Sequence, residues 1–117
     1  MKIMESPTDL VGEPVNAICF VMDYVELRFN GPILRALTAV EIALGEQRWV
    51  FPEPGSRDAL SQLIGATLTT IDIEEERSMD LSFDAGYRVT IPLSFESRVG
   101  PEAAHFVPGE RRPIQVW

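Results

Sequence analysis

Alternating apolar and polar positions occur in two matched sets along this chain. Val25, Leu27 and Phe29 alternate with Glu26 and Arg28; Met79, Leu81 and Phe83 alternate with Asp80 and Ser82. A period of two puts the apolar members of each set on one face of a strand. The surroundings match as well. Leu10-Val11-Gly12 leads into the first set and Leu63-Ile64-Gly65 into the second, and the sets run into Gly31 and Gly86. Ile18 and Phe20 correspond to Ile71 and Ile73, and Leu34 and Ala36 to Val89 and Ile91. The pattern predicts a duplication, with internal repeats at about 10–39 and 63–93. Each repeat is a three-stranded meander. Its strands lie near 15–21, 25–30 and 33–39 in the first copy, and near 67–74, 78–83 and 87–93 in the second.

Turn chemistry supports these boundaries. Asn30-Gly31 suits a two-residue hairpin, since both residues tolerate positive φ. Asp84-Ala85-Gly86 suits a three-residue loop with Gly86 left-handed. Met22-Asp23-Tyr24 and Glu75-Glu76-Arg77 make the other hairpin ends. Between the copies, Trp49-Val50-Phe51 predicts a short strand stopped by Pro52 and Pro54. A helix follows, with Ser56 as N-cap, Asp58 in its first turn, one apolar face at Ala59, Leu60, Leu63 and Ile64, and Gly65 as C′. Residues 94–109 read as a loop with one helical turn at Pro101–His105, and 114–117 as a C-terminal strand docked on the sheet.

A lone meander has one apolar face and no independent stability, so two must cover each other. The predicted fold is therefore a single mainly β (α+β) domain. Two antiparallel three-stranded meanders, related by an internal pseudo-two-fold, pack as a sandwich or half-open barrel with one short helix. The outward faces differ. Thr70, Asp72, Glu74, Asp80, Ser82, Arg88 and Thr90 suit water, whereas Ala17, Cys19, Val21, Ile33 and Leu37 form a second apolar surface around Glu26 and Arg28. That surface calls for cover from the helix, from the tail or from a second subunit, which gives a homodimer.

Composition narrows the partners. The 117 residues carry a net charge of −8, with 10 basic residues against 18 acidic ones. This argues against nucleic acid and against anionic membranes. No apolar run suits a membrane helix, and the first seven residues lack a secretory pattern, so a cytoplasmic location is the default. One cysteine, Cys19, supports neither a disulfide nor a zinc site.

Candidate chemistry is sparse. Glu102 and His105 have the spacing that places two metal ligands on one helix face, but further ligands are missing, and neither metal nor cofactor is expected. His105 is the one histidine, and no nucleophile–base pair assembles around it, so no catalytic residue is assigned and no enzyme expected. Pro54-Gly55-Ser56 matches no phosphate loop. Arg57, Glu102, His105 and Trp117 are the candidate lining of a ligand cleft between the C-terminal loop and the sheet.

The duplicated meander, the stretch from Pro54-Gly55-Ser56-Arg57 to Leu63-Ile64-Gly65, and the tail from Gly100-Pro101-Glu102 to Val116-Trp117 together resemble a group of small bacterial domains of unknown function. The resemblance spans Leu10 to Trp117 and implies a fold without a reaction. By analogy with small acidic immunity proteins, it also suggests protein binding. The expected function is a non-enzymatic protein-binding module, homodimeric, with an immunity-like role as one form of it; the alternative is a small-molecule binding domain with a cleft under the C-terminal loop.

Overall fold

Both predicted meanders form. A computed structural model of the chain describes residues 4–109 and 112–117; of the N-terminal stretch read for a secretory signal, Met1, Lys2 and Ile3 lie outside the described residues. The first meander comprises β1 (Ala17–Val21), β2 (Tyr24–Arg28) and β3 (Ile33–Ala36). The second comprises β6 (Leu68–Glu74), β7 (Ser78–Phe83) and β8 (Tyr87–Pro92). Between them lie β4 (Glu41–Leu44), β5 (Gln47–Val50) and the helix α1 (Ser56–Ser61); after them come β9 (Ala104–Val107) and β10 (Gln115–Val116).

The ten strands make two antiparallel five-stranded sheets, ordered β1-β2-β3-β9-β10 and β5-β4-β8-β7-β6. Each half thus keeps its meander and gives its last two strands to the other half's sheet. The pseudo-two-fold survives this exchange in detail. Ile42 of β4 faces Val89 of β8, and its counterpart Phe106 of β9 faces Leu34 of β3. At the dyad, Gly12 N–H donates to Leu68 O (2.7 Å) and Gly65 N–H to Val15 O (2.8 Å). Val15 N–H donates to Ala66 O (2.9 Å) and Leu68 N–H to Glu13 O (3.0 Å). Replacing each residue by its counterpart in the other copy converts one member of either pair into the other. Gly12 and Gly65 adopt φ of 94° and 90° there, in the left-handed region that glycine enters without steric cost.

The inner faces form one core. Val25, Leu27, Phe29, Met79, Leu81, Phe83, Val89 and Ile91 are buried, and Ile18, Phe20, Ile71 and Ile73 pack against them. Phe29 and Phe83 retain 3% and 4% exposure, so the counterparts occupy equivalent environments. Leu60 and Leu63 are buried in the same core. α1 packs against β1, β4 and β5, closing the open side where the edges of the two sheets meet.

Several local expectations are corrected. β4 was not predicted, and β5 begins at Gln47 rather than Trp49. The segment read as a helical turn at Pro101–His105 becomes the entry to β9; the helical turn in this loop is a 3-10 turn at Phe95–Ser97. The free edge of β3 supplies ladder bonds that outweigh the helix propensity of Glu102-Ala103-Ala104. The α1 N-cap is Gly55, not Ser56, and the helix is capped at Gln62 before Gly65 is reached. Gly55 has φ 85°, and a Cβ there would meet the Trp49 indole at 3.1 Å. At the first hairpin only Gly31 takes positive φ, whereas Gly86 is left-handed at 87° as expected.

Candidate functional site

The outer face of the first sheet carries the candidate site. Strand register sets Cys19, Glu26, Arg35, His105 and Val116 side by side across β1, β2, β3, β9 and β10. Alternation alone turns all five away from the core. Glu26 accepts from Arg28 at Oε1 (2.7 Å) and from Arg35 at Oε2 (2.7 Å). Arg35 also reaches His105 Nδ1 (3.0 Å), and His105 Nε2 lies 2.9 Å from Glu102 Oε1. The guanidinium of Arg35 stands 6.0 Å from the centre of the Tyr24 ring.

This chain of bonds fixes the imidazole. An arginine can only donate, so Nδ1 accepts; the proton then sits on Nε2 and is donated to the Glu102 carboxylate. Both ring nitrogens are engaged. Glu26 is buried at 4% exposure although it points outward, because Arg28, Arg35 and neighbouring side chains cover it. Burial raises its carboxyl pKa, but the hydrogen bonds and charges of Arg28 and Arg35 outweigh that and hold it below the usual carboxylate range. The same pairing raises Arg28.

Around this polar core, Ala17, Cys19, Val21, Tyr24, Ile33, Leu37 and Val107 are half-buried, and Val116 is exposed. Two of the three expected covers lie elsewhere: α1 closes the side of the sandwich, and the tail extends the first sheet as β10. At one end of the face, the loop before β9 and the β1–β2 turn frame a shallow depression that includes Asp23, Tyr24, Leu37, Val99 and Glu102. Val99 on this rim is 88% exposed.

The four sequence-predicted residues separate. Glu102 and His105 meet, as their spacing required, but at a strand entry rather than on a helix. Trp117 follows the strand alternation to the inner side and packs against the core, away from His105. Its backbone carbonyl accepts from Ala103 N–H (2.6 Å). Arg57 is on α1, its guanidinium 5.0 Å from the centre of the Phe51 ring, beside the β1 edge rather than the β9–β10 edge. Glu102 and His105 are the two of the four that meet.

Sequence reasoning placed Glu26 and Arg28 on this face but missed Arg35, which bridges Glu26 to His105. Its position opposite Glu26 was readable once the β2–β3 register was fixed by the 29–32 turn. The β9 partner was not readable, because residues 94–109 read as a loop. Among the described residues, no group of three or more His, Cys, Asp or Glu side chains is placed to hold a metal ion. Among the same residues, no helix is long and apolar enough to cross a membrane. No family model, curated protein or solved structure matches this chain.

Proposed function

We propose that this protein is a non-enzymatic protein-binding module, and that its first partner is a second copy of itself, docked through the outer face of the first sheet. The observation behind this reading is the half-buried apolar surface of Ala17, Val21, Ile33, Leu37 and Val107, left uncovered by both α1 and the tail. A polar centre whose members already pair with one another costs less to bury in an interface than unpaired charges would. The face also carries an exposed cation, Arg28, and a half-buried anion, Glu102, on opposite sides of Arg35. A copy related by a two-fold axis complements such a pattern.

Native mass spectrometry and light scattering at low micromolar concentration test this directly. The wild type runs as a dimer. Ile33→Glu with Val107→Glu gives a folded monomer, checked by circular dichroism. A wild-type monomer at tens of micromolar removes the proposal.

A further inference from the structure

The outer face of the second sheet holds a different arrangement. Arg48 of β5 and Arg88 of β8 both pair in register with Ala43 of β4, so two arginines flank one small side chain. One row along, Glu41 of β4 and Asp80 of β7 both pair with Thr90 of β8. These six residues line a shallow depression in the sheet surface. The methyl group of Ala43 leaves the floor between the arginines low.

The arginines are unusual for this chain. Arg28, Arg35, Arg77 and Arg112 are ion-paired, Arg98 donates to backbone carbonyls, and Arg57 lies over Phe51. Among the described residues, Arg48 and Arg88 are the two basic side chains with no hydrogen bond, ion pair or ring partner. In a protein of net charge −8, surrounded by acids, both remain uncommitted and both border the same depression. Their backbones are two strand spacings apart, roughly 10 Å, within which two guanidiniums can converge on one oxyanion. Asp80 is oriented by Thr90 Oγ1 (3.0 Å) and Ser78 Oγ (2.9 Å), both donating to it. Glu41 has no side-chain partner.

We infer that this depression binds a short amino-carboxylate, an amino acid or dipeptide, with its carboxylate between Arg48 and Arg88 and its ammonium beside Glu41 and Asp80. The two charge rows are two residues apart along the strands, roughly 7 Å. Glu41, Asp80 and, opposite it, Asp72 outnumber the two arginines, so a bare anion gains little from the local field and is repelled by the acidic chain at long range. A ligand with both charges satisfies both rows and escapes that repulsion. Charge-assisted, bidentate bonds from arginine to a carboxylate set its orientation.

Titration with diglycine, followed by amide and arginine side-chain NMR shifts, tests the assignment on the intact protein. The expected result is saturable shifts at Ala43, Arg48 and Arg88. Affinity falls about tenfold or more in Arg48→Gln with Arg88→Gln, and several-fold for N-acetyl-diglycine. Arg77→Gln, an exposed arginine on the β6–β7 turn, leaves it unchanged. Three results each overturn the inference: shifts that do not saturate, shifts that survive the double arginine substitution, or inorganic phosphate binding as tightly as diglycine. Because the site lies on the second sheet, the dimer proposed above can fail without altering this outcome.

Discussion

The middle rows of the two outer faces can be compared position by position. On the first sheet the row reads Cys19, Glu26, Arg35, His105, Val116. On the second, the counterparts read Asp72, Asp80, Thr90, Glu41, Val50. The first row interleaves opposite charges and buries a carboxylate. The second sets two aspartates directly opposite each other and leaves Asp80 exposed. Like charges opposite one another on a sheet cost stability, and exposure to water makes that cost small. The inner faces diverged far less: Leu27 matches Leu81 and Phe29 matches Phe83, since both sets must fill one shared core. Packing constrains both copies alike, while solvent leaves each outer face free to take its own chemistry.

That contrast yields graded expectations. Leu27→Ala and Leu81→Ala remove counterpart side chains from the core, each costing about 2–5 kcal/mol. Urea midpoints should fall similarly for both; a full loss at one site and none at the other breaks the equivalence of the halves. On the outer faces the counterparts should part company. Glu26→Gln removes the negative charge shared by Arg28 and Arg35 and replaces one of its two acceptor oxygens with a donor, at a cost of about 1–3 kcal/mol, moderated by the water that reaches both arginines. Asp80→Asn stays within about 0.5 kcal/mol or stabilises slightly by relieving Asp72. Equal costs for the two would refute the view that one row is a bonded network and the other a solvated one.

Acid should erode the difference at Glu26, with a defined sign. Its carboxyl pKa is lowered on folding, so its contribution is fully present above the unfolded value of about 4.3 and is lost as pH falls through the lower folded value. The stability gap between wild type and Glu26→Gln is therefore constant near neutrality and narrows in acid. A gap unchanged down to pH 2 would mean the arginines do not hold the ionised form.

Much of this is legible in the sequence alone. Period-two alternation at Val25–Phe29 and Met79–Phe83 located the central strands, and glycine at 31, 65 and 86 marked chain reversals that do take positive φ. These signals are local: a side chain's face follows from strand parity, and a glycine's dihedral from its own missing Cβ. The candidate site was legible only in part. Glu102 and His105 belong together through short spacing alone, whereas Arg35 joins them through pairing between β3 and β9, far apart in sequence.

The sequence by itself determined the duplication, the two meanders and the part of the core that their strands supply. Tertiary structure alone decided that each half donates its last two strands to the other half's sheet. Four-residue strands such as Glu41–Leu44 and Ala104–Val107 carry too few alternating positions to name a partner. Their place is settled by which sheet edge still offers unpaired backbone donors and acceptors once the meanders have packed. The same exchange brings His105 to Arg35 on one face and sets Ala43 between Arg48 and Arg88 on the other, so both candidate sites exist only in the assembled fold.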